Sequence, residues 1–200
     1  MVGNDVVDLT DDETGADACH SRFDLRVFTD RERDALGRVG DLRAGRWRLW
    51  AAKESAFKVM ARLEPSTRFI PRRFEAHLGG RDRGVVRYEG RELPIRFDEI
   101  TGGVHAVCAP DLDTLDSIRT EVARRDPNGD PSEVVRALAR ASLATELAVP
   151  PRDITISGSS GQPPQVTVAA QPMAASNNAS ETSWSLIVSY KKNCPRRLSW

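Results

Sequence analysis

Three cysteines and three histidines are all that the 200 residues contain, and their scarcity excludes several chemistries. Cys19, Cys108 and Cys194 are far apart and odd in number, so neither a disulfide framework nor a zinc-binding spacing can be drawn. Reduced thiols of a cytoplasmic protein are the expectation. His20, His77 and His105 form no paired set of ligands, and each is read as structural or surface. Neither charge is in excess, with 29 Lys and Arg against 29 Asp and Glu. That argues against a nucleic-acid partner and against an anionic membrane surface. No apolar run approaches the length of a membrane span. The first twenty residues are acidic and lack an apolar segment, so no signal peptide is expected. GxxxxGK[ST], GxGxxG and GxSxG are all missing, which argues against the common nucleotide folds and the nucleophile-elbow hydrolases.

What is present is a long helical stretch, Arg46 to Leu63, RWRLWAAKESAFKVMARL. Good helix formers dominate it, and Pro65 stops it. Trp47, Trp50, Ala51, Phe57 and Met60 give an apolar face. Lys53, Glu54 and Lys58 interrupt that face, and Glu54 and Lys58 are one turn apart on the same side. The plainer interpretation is a solvated Glu–Lys pair on a core helix.

The rest of the chain surrounds this helix. Val2 to Leu9 reads as a short strand ended by the acidic cluster TDDET. Its alternation puts Asp5 and Val7 on one face, Val6 and Asp8 on the other. A carboxylate within an apolar strand needs a partner, which makes Asp5 a candidate for a metal or an ion pair. Residues 10–21 read as a loop. Thr29 and Glu32 have capping-box spacing, predicting a helix from Thr29 to Gly37. Arg22 and Arg26 precede it and could face an anion, although most such arginines are ordinary surface charges. Gly37, Gly40 and Gly45 interrupt the chain before the long helix. After Pro65 come three or four short antiparallel strands, two of them joined by a tight turn at Glu89–Gly90. A second, weaker unit follows the loop DPNGDP. It has a helix capped by Ser132 and ended by Pro150–Pro151, then strands at DITIS, QVTV and WSLIVSY. Ala169 to Ser183 is small and polar and is expected to be flexible. The expected division is a first half at 1–112, a linker at 113–131 and a second, degenerate half at 132–200.

If the first strand lies against the long helix, Asp5 and Glu54 converge. Two carboxylates with waters suit Mg²⁺, which takes its remaining ligands from substrate phosphates. Lys53 and Lys58 could then supply positive charge to a phosphate.

The pair of motifs, GNDVVDL on the first strand and WAAKESAFK on the long helix, resembles the 4′-phosphopantetheinyl transferase superfamily. RVFTDRE lies between them, as the family has it. The match is close over roughly residues 1–63, and RALARASLATEL and GQPPQV echo a later helix and G-x-P segment. The resemblance implies an α+β fold of two pseudo-equivalent halves, each a long helix packed on a small antiparallel sheet. It implies transfer of the phosphopantetheine arm of coenzyme A to a serine of an apo acyl or peptidyl carrier protein, with Mg²⁺. Adenosine 3′,5′-bisphosphate leaves. Asp5 matches the family's metal-binding aspartate. Glu54 matches a metal ligand proposed in some members to help deprotonate the serine. Lys53 and Lys58 match lysines that contact coenzyme A phosphates. The acid three after Asp5, Asp8, follows the short holo-acyl-carrier-protein synthase type. Two halves sharing one site imply a monomer.

One motif departs. The family has a late S-[LI]-S-H segment, and this chain reads Trp184-Ser185-Leu186-Ile187-Val188-Ser189-Tyr190 with no histidine after His105. The alternative reading is a non-catalytic relative that binds a carrier protein. The basic tail, with Lys191 and Lys192, could replace the missing phosphate contacts. A third reading, an α+β interaction domain with surface ion pairs at Asp5, Glu54 and Lys58, would show no Mg²⁺-linked stabilisation with coenzyme A.

Overall fold

The computed structural model describes residues 1–15, 22–122, 130–157, 165–169 and 186–189. Among these the chain divides into two compact units, one Met1–Ile118 and one beginning at Arg119. The boundary falls within the stretch expected as linker, whose beginning carries regular structure.

The first unit is a five-stranded antiparallel sheet with a long helix across one face. Its elements are β1 (Gly3–Asp8), α1 (Phe23–Val27), α2 (Asp30–Leu36), α3 (Leu42–Leu63), β2 (Glu75–Leu78), β3 (Arg83–Tyr88), β4 (Arg91–Ile100), β5 (Gly103–Cys108) and α4 (Leu112–Ser117). The strand order is β1-β5-β4-β3-β2. The first strand of this unit thus joins its last, β5, with Asp5 opposite Ala106 and Val7 opposite Val104. Asp5 and Val7 share the face covered by α3, where Ala51, Ala52, Ala56, Val59 and Met60 form one core with Val7, Ile95, Phe97 and Ala106. A train of aromatics extends this core, ending in Phe74 stacked on Tyr88 with ring centroids 4.2 Å apart.

Local chemistry explains the element ends. Thr29 and Glu32 make the expected capping box at α2. The turn between β3 and β4 has φ of 47° at Glu89 and 81° at Gly90, the left-handed pair that a two-residue hairpin turn of the primed type requires. The long helix begins earlier than the apolar spacing implied. Asp41 caps it, accepting from Ala44 N at 3.0 Å. Gly45 lies inside α3 rather than before it, because a good cap offsets the roughly 1 kcal/mol cost of a helical glycine. Phe23 to Val27, expected only to lead into α2, is itself a short helix.

On the sheet face away from α3, Arg96 ties α4 to the sheet by donating to Leu115 O at 3.1 Å and Ile118 O at 3.2 Å. Its Nε donates to Asp98 Oδ1 at 2.7 Å. Fully buried His105 stands opposite Asp98, with Nδ1 3.3 Å from Asp98 Oδ2. Neither ring nitrogen has the alignment of a hydrogen bond.

The second unit contains β6 (Arg119–Val122), α5 (Pro131–Leu147), β7 (Ile154–Ser157), β8 (Gln165–Val168) and β9 (Leu186–Ser189). β6 pairs with β9 in parallel, and β7 with β8 antiparallel. A small cluster of Leu143, Ala144 and Ile154 holds α5 to β7. The cap of α5 is Asp130 and not Ser132: Asp130 accepts from Ser132 N at 2.8 Å. Pro131 at the first helical position, where its missing N–H costs nothing, sets that frame. The expected flexible segment lies outside the described residues apart from Ala169, and the basic tail lies outside them altogether. No helix among the described residues is long and apolar enough to cross a membrane.

Cys108 is wholly buried on β5, and burial pushes its thiol pKa far up. The folded state keeps a proton that the unfolded chain loses above about pH 8.5. Stability therefore falls as pH rises past that value, and Cys108→Ala should flatten this alkaline loss in urea melts. In a variant with Cys19 and Cys194 replaced by serine, the remaining thiol should react with a thiol reagent only on unfolding.

Candidate functional site

The site begins with a close crossing of β1 and α3. A Cβ built on Gly3 would lie 2.0 Å from Ser55 O and 3.0 Å from Val59 N. Only glycine permits that approach. Ser55 is buried on the helix side and turns its hydroxyl back to Ala51 O at 2.7 Å. A glycine on the strand and a small residue on the helix therefore set the separation of the two elements. Two residues along β1, and one residue back along α3, this crossing delivers Asp5 and Glu54.

Lys58 joins them. Its Nζ is 3.0 Å from Asp5 Oδ1 and 3.3 Å from Glu54 Oε1. It also donates to the backbone carbonyl of Asn4 at 2.6 Å. The Asp5 side chain is 5% exposed, Glu54 13% and Lys58 32%, so the group opens toward solvent on the lysine side. The structure thus brings Asp5, Glu54 and Lys58 to one place, because the first strand lies against the long helix. Asp8 instead ends β1, accepting from Thr10 N at 2.7 Å.

Lys53 is elsewhere, and the expected phosphate contact is corrected for it. It is fully buried. Its ammonium lies 2.7 Å from Glu32 Oε1 and donates to Pro71 O at 3.0 Å and Phe74 O at 2.5 Å. All three of its donors are used within the protein. Burial pushes the ammonium pKa down and Glu32 partly offsets this. The same two Glu32 oxygens also accept from Thr29 N (Oε2) and Ala76 N (Oε1), each at 2.7 Å. One carboxylate therefore fastens the start of α2, the middle of α3 and strand β2 together. The sequence shows Glu32 only as a capping-box residue; the signal for its second role is Lys53 itself, an amine on an apolar helix face that needs a counter-charge.

The donor set fits Mg²⁺. Two carboxylates of low exposure face one cation, and Mg²⁺ commonly takes one or two carboxylates and completes its shell with water and phosphate oxygens. No cluster of three or more His, Cys, Asp or Glu side chains able to hold a metal occurs among the described residues. A cavity of about 530 Å³ lies between α2, the start of α3 and β2, lined by Leu36, Val39, Arg48 and His77 among others. It includes none of Asp5, Glu54 or Lys58 and is not part of this group.

A sheet crossed by a long helix, with a strand aspartate meeting a helix Glu–Lys pair at a glycine crossing, defines a class of α+β protein with a paired-carboxylate site. The family model described as "4'-phosphopantetheinyl transferase superfamily" matches residues 1–108, which end with β5. The chain belongs to that superfamily.

The chain is also similar in part to several solved structures. A Chronobacterium ammoniagenes ACPS–CoA complex is 18% identical, covering 54% of this chain and 93% of its own, with a TM-score of 0.43. Holo-[acyl-carrier-protein] synthase from Neisseria meningitidis is 16% identical, covering 54% and 94%, with a TM-score of 0.44. The Thermotoga maritima holo-[acyl-carrier-protein] synthase is 12% identical, covering 86% and 84%, with a TM-score of 0.35. A comparison with curated proteins returns no match.

Proposed function

We propose that this chain transfers the 4′-phosphopantetheine arm of coenzyme A to a serine of an apo acyl or peptidyl carrier protein. The observation that carries the proposal is the convergence of Asp5 and Glu54 on one cation position, 3.0 and 3.3 Å from Lys58 Nζ, within the residues that the family model matches. Asp5 and Glu54 would hold Mg²⁺. That ion, when bound, supplies positive charge to the pyrophosphate oxygens.

The serine oxygen forms a new bond to the phosphorus that carries the pantetheine. The pyrophosphate P–O bond breaks on the other side, and its electrons leave with adenosine 3′,5′-bisphosphate. The serine proton passes to the Glu54 carboxylate, directly or through a water, since a neutral hydroxyl needs a base within hydrogen-bond reach. Lys58 supports the charge that develops on the phosphates. No nucleophile of the protein's own is required. The proposed species is a cytoplasmic monomer carrying both units in one chain.

The alternative, a non-catalytic relative that binds a carrier protein, is favoured by the altered late segment. Incubation with Mg²⁺, coenzyme A and a panel of apo carrier proteins, read by intact mass, separates the two. The expected result is a carrier heavier by one phosphopantetheine group, with the rate lowered at least about 100-fold in Asp5→Ala and Glu54→Ala. No gain on any carrier, with carrier binding retained, would select the non-catalytic reading.

A further inference from the structure

The ammonium of Lys58 lies between Asp5 and Glu54, the two carboxylates that would hold the proposed metal. It donates to Asn4 O at 2.6 Å and to Asp5 Oδ1 at 3.0 Å, and it pairs with Glu54 Oε1 at 3.3 Å. One acceptor is strand backbone, and its place is set by the pairing of β1 with β5, where Asn4 stands opposite Val107. The other two are the side chains that the proposed metal needs. Both carboxylates are largely withdrawn from water, at 5% and 13% exposure. Left alone they would repel each other and lose solvation, so the site needs a positive charge in the absence of metal. Lys58 supplies one.

The charges of the two arrangements differ in a way that bears on order of binding. Two carboxylates with one ammonium carry a net single negative charge. Two carboxylates with a dication are neutral. A dication added beside the ammonium leaves a positive excess at short range, and like charges a few ångströms apart in a half-buried place repel strongly. The ammonium has room to go: its side chain is the most exposed of the three, at 32%.

We propose that Lys58 is the resident counter-ion of the metal-free site, and that metal entry displaces it and releases the ammonium to an anionic group of the substrate. The proposal rests on the metal reading of Asp5 and Glu54. It makes metal binding and phosphate binding positively coupled, because the cation that leaves the carboxylates is the one that meets the phosphate. A lysine suits this use better than an arginine: its charge is compact and its flexible stem can carry it between two sites.

The test uses Mn²⁺ as the probe, with free ion counted by electron paramagnetic resonance, on the whole chain without coenzyme A. Lys58→Gln is expected to bind Mn²⁺ about tenfold more tightly than the unsubstituted protein, because the competing charge is gone. Asp5→Asn is expected to lose binding. A second measurement needs no substitution. Acylation of lysines followed by mass spectrometry should show Lys58 more reactive with Mn²⁺ than without, while Lys53 stays protected.

Unchanged or weaker binding in Lys58→Gln, or unchanged labelling of Lys58, overturns the displacement while leaving the metal site standing, provided that Asp5→Asn still loses binding. If Mn²⁺ binding is absent in the unsubstituted and Lys58→Gln proteins, or is indifferent to Asp5→Asn, the metal reading itself fails and the inference falls with it.

Discussion

Replacing Glu32 by alanine is expected to destabilise the first unit by about 3–5 kcal/mol, the usual cost of leaving one partner of a buried ion pair behind. Lys53 has no exposure to water and its counter-ion is 2.7 Å away. Removing the carboxylate leaves a cation whose two remaining acceptors, Pro71 O and Phe74 O, are neutral. The same change frees the backbone N–H groups of Thr29 and Ala76, which adds an unsatisfied donor on β2. Urea unfolding followed by tryptophan fluorescence measures the loss, since Trp47 and Trp50 are buried in the core of this unit. Lys53→Met should cost less than Glu32→Ala, because it removes the buried charge instead of stranding it. If Lys53 instead met a substrate phosphate, Lys53→Met would leave the urea midpoint unchanged and weaken coenzyme A binding, and that result would refute the structural role assigned here.

The second large effect is at Gly3. An alanine there would place its methyl 2.0 Å from the carbonyl oxygen of Ser55, a backbone atom with no freedom to swing aside. Strand and helix must separate, and the expected cost is about 3 kcal/mol or more. The same separation pulls Asp5 away from Glu54 and Lys58. A displacement of about 1 Å in such a site can lower a rate roughly 100-fold, so transfer activity should fall even at temperatures where the variant is folded. Circular dichroism at the assay temperature, alongside the carrier-protein assay, separates the two losses. Normal activity in a folded Gly3→Ala protein would show that the crossing does not set the geometry of the site.

These two positions also show how legible the sequence was. Asp5, Glu54 and Lys58 could be named in advance because their pattern is local: an acid in a strand of alternating faces, and an acid and a base four apart on a helix. The capping box at Thr29 and Glu32, the turn at Glu89–Gly90 and the strand around Asp5 were legible for the same reason, since each depends on neighbours within a few residues. Lys53 was not. It stands beside Glu54 in the chain, and the motif resemblance gave it the same task as Lys58, contact with coenzyme A phosphates. Yet it lies three residues after Trp50 and four before Phe57, on the buried stripe of α3, so the helix turns it inward. Where the cap of α5 falls was likewise decided by one atom: Asp130 can reach Ser132 N once Pro131 occupies the first helical position.

The sequence by itself determined the α+β character, the succession of strand, capped helix, long helix and small antiparallel sheet in the first unit, and which carboxylates are proposed to hold a metal. All of these follow from period, capping and residue chemistry along short stretches of chain. Only the tertiary structure decided which lysine meets the carboxylates and which is sealed into the core. It also decided that Glu32 joins three elements, that β1 lies beside β5, and that β1 crosses α3 at a distance that a glycine must permit. Those outcomes depend on which face of α3 is covered and how closely β1 approaches it. Burial and long-range pairing are properties of the assembled sheet and helix, and no local spacing encodes them.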